Sequence, residues 1–456
     1  MKKILLFIIA TGFMQNASAE DRTLRDSILW EITGAAMPEY KVSITKLGAK
    51  GDGMKDCKPA FDKAMKLAAK KGGIRIVVPV GVYLLCGPIH MVSNVCLDLQ
   101  EGAVLRFSTN PAHYLPAVKT SWEGTFVQNY SPFIYGYGLH DVSIVGQGTI
   151  DGNAAESFST WTTQQKEDIQ LSRRMNHEGS PINERSFGEG HFLRPHLIQF
   201  FGCKGVTVSD VLITNSPFWC VHLLQSENII CRGIRYDAKL VNNDGIDPEM
   251  SRNVLIEDIH FNNGDDNIAI KSGRDNDGWT AATPSENIII RRCHFKGLHA
   301  VVIGSEMSAG VRNVWIDSCD YAGYSKRAVY MKTNPDRGGF IHNINLRDCT
   351  FDEVEDLYYV TSMFAGEGLS NTHFTDICGL HIDGLRCRKV RRHAFVFQGT
   401  EQRPIRDVTI RNANIGEARY GLSFDHTEDV RMQDCHIGEH VGVPSLISEK
   451  DQLFSQ

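Results

Sequence analysis

The chain has 456 residues, 42% hydrophobic and 22% charged, which suits a well-folded protein with a large core and excludes a disordered chain. Its 48 Lys and Arg against 54 Asp and Glu leave a net charge of -6 with no basic block, which excludes a surface built to track nucleic-acid phosphates. Beyond the N-terminus no apolar run approaches the roughly 20 residues of a membrane span, so none is expected.

The first residues, MKKILLFIIATGFMQNASAED, combine two lysines, an apolar run from Ile4 to Phe13 and the small-x-small triplet Ala17-Ser18-Ala19. This pattern predicts a secretory signal peptide over residues 1–19, a mature chain starting near Glu20 and export to the periplasm or beyond. Residues 20–456 are expected to form one domain. The segment PAFDKAMKLAAKKGG, apolar at Phe61, Met65, Leu67 and Ala68, predicts a helix that caps an open sheet end. Two polar stretches, PAHYLPAVKTSWEGTFVQNYS and the insertion from Ala154 to Pro195, are longer than tight turns need, and long loops in compact domains tend to be functional.

From about residue 205 a unit recurs: GVTVSDV, NIICRGI, NVLIEDI, NIIIRRC, NVWIDSC, NINLRDC, DVTIRNA and DVRMQDC. The units start at Gly205, Asn228, Asn253, Asn287, Asn313, Asn343, Asp407 and Asp429, mostly about 22 to 34 residues apart, a solenoid spacing. Six residues after each start stand Val211, Ile234, Ile259, Cys293, Cys319, Cys349, Ala413 and Cys435. Cysteine alternating with aliphatic residues marks an inward position, so these four cysteines are expected as buried free thiols. A second strand precedes the units in FWCVHLLQ, DGIDPEM, NIAIKSG, AVVIGSE, AVYMKTN, AFVFQGT and GLSFDHT. Two or three strands per turn without connecting helices predict an all-β fold, a right-handed parallel β-helix.

In such a fold, residues one repeat apart become neighbours, about 4.8 Å from strand to strand. Aligning the second strands gathers Asn242, Asp244 and Asp247 on one turn, Asp265, Asp266 and Lys271 on the next, then His299, then Arg327, Tyr330 and Lys332. Asp244 in NNDG is also what an Asx turn uses, and a lone histidine is often only a satisfied polar residue. Their conjunction on successive turns is what points to chemistry. Asp265 and Asp266 are adjacent, so both can face outward only at a bend or a strand start. Trp122, Trp161, Trp219 and Trp279 are candidates for stacking on sugar, although core packing is the commoner fate of tryptophan.

The motifs Asn242-Asn243-Asp244, Gly264-Asp265-Asp266, Leu298-His299-Ala300 and Tyr330-Met331-Lys332, in that order, resemble those of the polygalacturonases and related pectin hydrolases of glycoside hydrolase family 28. The family's motifs read N-T-D, G-D-D or Q-D-D, G-H-G and R-I-K. The resemblance extends through LGAKGDGMKDCKPAF, GPIHMVSNVCLDLQEGAVLRFS and GQGTIDGN, hence over nearly the whole mature chain. This sequence departs from the pattern at Leu298 and Ala300, where the family has glycine, and at Tyr330, where it often has an arginine that binds a substrate carboxylate.

The resemblance implies an inverting hydrolase of galacturonate-containing pectic chains, with Asp265 as general acid and Asp244 and Asp266 as the carboxylates that hold and deprotonate water. His299 is expected to hydrogen-bond the acid, and Lys332 and Arg327 to neutralise a uronate carboxylate, with Lys271 and Arg274 as further candidates and Asn242 beside them. No cofactor and no metal is implied, and a monomer is expected. The long insertions suggest a groove walled at one end, hence exo action. Tyr330 leaves room for a neutral neighbouring sugar, as in rhamnogalacturonan. Two rivals share the fold: a pectate lyase, which clusters calcium on aspartates, and a non-catalytic adhesin or carbohydrate-binding scaffold.

Overall fold

The computed structural model describes residues 22–366 and 371–438. The expected leader lies outside them. Among the described residues no helix is long and apolar enough to cross a membrane.

The strands form two 13-stranded sheets and a six-stranded sheet, all paired in parallel, so the chain is an all-β parallel β-helix. The repeat read from the sequence is a backbone requirement. Each unit opens on a left-handed residue, from Gly205 and Asn228 through Asp429, with φ between 53° and 69°. Five residues later stands a second one, Asp210, Gly233, Asp258, Arg292, Ser318, Asp348, Asn412 or Asp434, with φ between 51° and 64°. Positive φ favours Asn, Asp and Gly, which explains why the units begin as they do. Between the two corners the side chains alternate: Val254 and Ile256 point into the core, while Leu255 and Glu257 face out. The opening asparagines also stack, with Asn287 Nδ2 donating to Asn253 Oδ1 at 2.9 Å, Asn313 to Asn287 at 3.0 Å and Asn343 to Asn313 at 3.0 Å.

The ladder is longer than the sequence reading placed it. The first sheet begins at Lys41–Ser43, well before residue 205. A further unit opens at Gly379, with φ 73°, turns at Gly384, with φ 75°, and buries Leu385. Its outer neighbour, Thr350–Thr361, was also passed over.

One hydrophobic core runs from Ile44 to Ala418. The helix Lys58–Lys71 caps it, burying Ala60, Phe61, Ala64, Met65 and Ala68, while Leu67 is half-buried against the same core. All twelve cysteines are free. Cys293, Cys319 and Cys349 are buried as expected, but Cys435 is partly exposed because its strand pair is the last of the described coils and no described strand stacks beyond it.

A strap at the N-terminus crosses the outside of the first sheet. Its helix, residues 22–31, sets Ile28, together with Ile32, against Leu255, Ile289 and Trp315, and Arg25 Nη1 donates to Asp317 Oδ2 at 2.6 Å. The backbone N–H groups of Thr33, Gly34, Ala35 and Ala36 then donate to Asn228, Thr207 and Asp141 side chains at 2.8–3.0 Å.

Candidate active site

The second sheet carries the site on its outer face. Asp265 lies in a bend and Asp266 begins the strand Asp266–Ile270, so both carboxylates face outward, as their adjacency requires. Gly264 permits this bend: a Cβ there would lie 2.3 Å from the Leu240 carbonyl oxygen of the preceding coil. Gly245 is needed likewise, since its Cβ would meet the Asn267 carbonyl oxygen at 2.5 Å. That close passage, sealed by the Gly245 N–H to Asp266 carbonyl bond of 2.9 Å, brings Asp244 beside the aspartate pair.

Register fixes the next coils. Asp266 pairs with His299, His299 with Arg327, and Arg327 with Asp356. His299 Nδ1 is 2.6 Å from Asp266 Oδ1, and Lys332 Nζ is 3.6 Å from Asp266 Oδ2. The expectation that His299 bonds the acid Asp265 is therefore corrected: parallel register sets the ring against Asp266. Asn242 Nδ2 donates to Asp265 Oδ2 at 3.3 Å and is itself held by Arg194, whose Nη2 donates to Asn242 Oδ1 at 2.6 Å.

These neighbours separate the three carboxyl groups. Burial pushes Asp265 up, and the Asp266 charge adds to it, so its pKa is raised to about 6. Burial also acts on Asp266, but Lys332 and His299 outweigh it and hold this carboxyl well below the usual range. Asp244 is pushed well above its ordinary value by burial and then by the charges of Asp247, Asp265 and Asp266. One group poised to give a proton thus sits beside one held ionised, the requirement for general acid and base work.

The remaining cationic candidates are close by, each paired with a carboxylate. Lys271 Nζ lies 3.2 Å from Glu306 and 4.6 Å from the centre of the Trp219 ring. Arg274, also buried, lies 2.7 Å from Glu306 and 3.7 Å from Glu123. The Arg327 guanidinium lies over the rings of Tyr330 and Tyr359 at 4.3 and 4.6 Å, and its Nε is 3.4 Å from Asp356. Tyr330 is buried and backs both Arg327 and Lys332. Glu306, Asp356 and Arg194 were missed by the sequence reading. Glu306 ends the quoted strand AVVIGSE, where an acid beside two cations of the previous coil was the available signal; Arg194 left none.

The polar stretches build a wall on this face. Residues 118–129 form an antiparallel hairpin turned at Glu123 and Gly124, with φ 43° and 79°. The insertion supplies the helix Lys166–His177, and Asn176 Nδ2 ties it to Thr125 Oγ1 at 3.1 Å and to the Arg274 carbonyl at 2.9 Å. The hairpin rests on the second sheet through Thr120 to Gln199 at 2.9 Å, Ser121 to Glu249 at 3.3 Å and Trp122 stacked on Phe218 at 5.0 Å. Trp122, Trp161 and Trp219 are buried and Trp279 stacks on His373, so the four indoles pack within the protein.

Asp265, Asp266 and His299 present ligand atoms within 4.8 Å of one another, the one such group among the described residues. The Lys332 ammonium lies 3.6 Å from Asp266 in the same group.

Comparison with known proteins agrees with this chemistry. The chain is 27% identical over 402 residues to a "Probable polygalacturonase" of Vitis vinifera, covering 84% of this chain and 76% of that protein. It is 27% identical over 363 residues to an "Exo-poly-alpha-D-galacturonosidase" of Dickeya chrysanthemi, covering 72% of this chain and 58% of the relative. The crystal structure of a hyperthermoactive exopolygalacturonase from Thermotoga maritima superposes with a TM-score of 0.83 at 35% identity, over 90% of this chain and 96% of that one. The family model for glycosyl hydrolases family 28 matches residues 116–435. A match over well over half of the chain, on a β-helix that sets these carboxylates side by side, assigns the protein to that family of glycoside hydrolases.

Proposed function

We propose that the protein is an exported, inverting exo-hydrolase that releases galacturonic acid from the non-reducing end of pectic chains without a metal cofactor. Asp265, with its raised pKa of about 6, protonates the leaving oxygen. Asp266, held ionised by Lys332 and His299, receives the proton of the attacking water together with Asp244. Lys332, the partly exposed cation of the group, meets the uronate carboxylate, and Arg327, two coils from Asp266 on the same strand as Lys332, stands behind it.

The observation that carries the exo reading is the wall. The hairpin rests on Gln199 and Glu249, and Glu249 shares a strand with Asp247, immediately after Asp244. A polymer running past the carboxylates toward the earlier coils would meet the hairpin and the helix behind it. A terminal sugar fits such a site, and the names of the Dickeya and Thermotoga relatives agree with it.

Product profiling over time on polygalacturonate and on rhamnogalacturonan fragments tests the reading. Galacturonic acid alone from the first minutes is expected, with no unsaturated, ultraviolet-absorbing product and no effect of chelator. An early ladder of mixed oligomers refutes exo action, and an unsaturated product refutes hydrolysis.

A further inference from the structure

Asp247, three residues beyond Asp244, has no role in the mechanism above, yet it is fully enclosed. It lies on the strand Ile246–Glu249 with Ile246 turned into the core, so its own side chain lies on the outer face beneath the hairpin. It is 0% exposed, whereas Asp244 keeps 4%. No protein N–H reaches either oxygen of Asp247 or Oδ1 of Asp244, and the two carboxyl groups lie against each other.

The groups facing Asp247 leave it short of positive charge. His222, its register partner, is buried and held neutral, its pKa lowered to about 3 by burial. Asp266 and Glu249 add negative charge, Asp244 lies within hydrogen-bonding contact, and Lys271, the one cation among them, is already engaged by Glu306. Two contacting carboxylates with no donor between them repel at full strength in a buried site. A single proton between them converts that repulsion into a hydrogen bond.

We propose that Asp247 is a positioning residue that works as a neutral carboxylic acid, donating its O–H to Asp244 and so keeping Asp244 the carboxylate that faces the water. The proton belongs on Asp247 because that group is sealed, and the charge belongs on Asp244 because it retains access to the groove. Burial pushes both groups well above their ordinary values, against the pull of Lys271 on each, as a pair that shares one proton requires. The inference rests on the hydrolytic reading, in which Asp244 helps to hold water.

Asparagine at 247 keeps both the shape and an N–H donor, whereas leucine keeps the volume and loses the donor. Asp247→Asn is expected to lower kcat about fivefold and Asp247→Leu on the order of a hundredfold, with KM little changed in both. The infrared spectrum of wild type at pH 7 is expected to contain a protonated-carboxyl band that D247N lacks. Equal losses in the two variants would overturn the proposal, since Asp247 would then act as a charge and not as a donor. The infrared band does not depend on turnover: its absence from wild type overturns the proposal even if the leucine variant does not fold. A chain inactive on every pectic substrate but carrying the band would instead place the failure in the hydrolytic reading.

Discussion

Replacing Lys332 with methionine removes the nearest cation from Asp266 while keeping most of the side chain's volume. At 3.6 Å and an effective dielectric constant of about 20, the pair attracts by about 4.6 kcal/mol, equivalent to about three pH units in the titration of Asp266. In the wild type Asp266 stays ionised far into acid, so the acid limb of kcat lies below the working range. The alkaline limb follows loss of the Asp265 proton, near pH 6, with kcat falling about tenfold per pH unit above it. In K332M the Asp266 pKa rises, its carboxylate is lost as pH falls through the raised value, and an acid limb enters the range about three units higher. Lys332 also lowers Asp265, so the alkaline limb moves up as well. The assay is kcat from reducing-sugar release at saturating oligogalacturonate from pH 3 to 8, with wild type run alongside because substrate uronates titrate in both. A K332M profile that is uniformly lower but unshifted would refute the reasoning and leave Lys332 a substrate contact alone.

Asp265→Asn should cut kcat by about a thousandfold or more with the thermal midpoint preserved, and near-normal turnover would remove Asp265 as the acid. A thiol count on denatured, unreduced protein should find all twelve cysteines reactive, and in the native state Cys86, Cys378 and Cys435 should react first because they are the partly exposed ones. Ile32→Ala in the strap should cost about 2 kcal/mol or more against Leu255, Ile289 and Trp315, read as a lower denaturation midpoint without loss of kcat.

The ladder was legible because its grammar is steric. Opening corners at positive φ select Asn, Asp and Gly, and the inward positions that follow select aliphatic side chains or cysteine, so each coil repeats its signature. The coil at Gly379 escaped notice because glycine holds both of its corners, which spaces the visible units 64 residues apart, between Asn343 and Asp407. Asp244, Asp265 and Asp266 were legible because each occurs in a short motif whose glycine the local backbone requires. The partners of the cations were not. Glu306 meets Lys271 across 35 residues and Arg194 meets Asn242 across 48, and such pairings depend on strand register and on how the insertion folds back. His299 shows how finely register decides, since a shift of one residue separates a bond to Asp265 from the bond to Asp266.

The strap gives this solenoid an unusual order of assembly. Synthesis delivers residues 22–37 before the coils they dock on, whose docking surface is made of Asp141, Thr207, Asn228, Leu255, Ile289, Trp315 and Asp317, the last of them 292 residues after Arg25. Coils can stack on one another as they emerge, each using only its predecessor, whereas the strap must wait until the chain has wound past Asp317. Over that interval Ile28 and Ile32 stay uncovered. The strap therefore finds its place only after the coils under it, and its docking reports that those coils, including the ones that carry the acid residues, are already stacked in register.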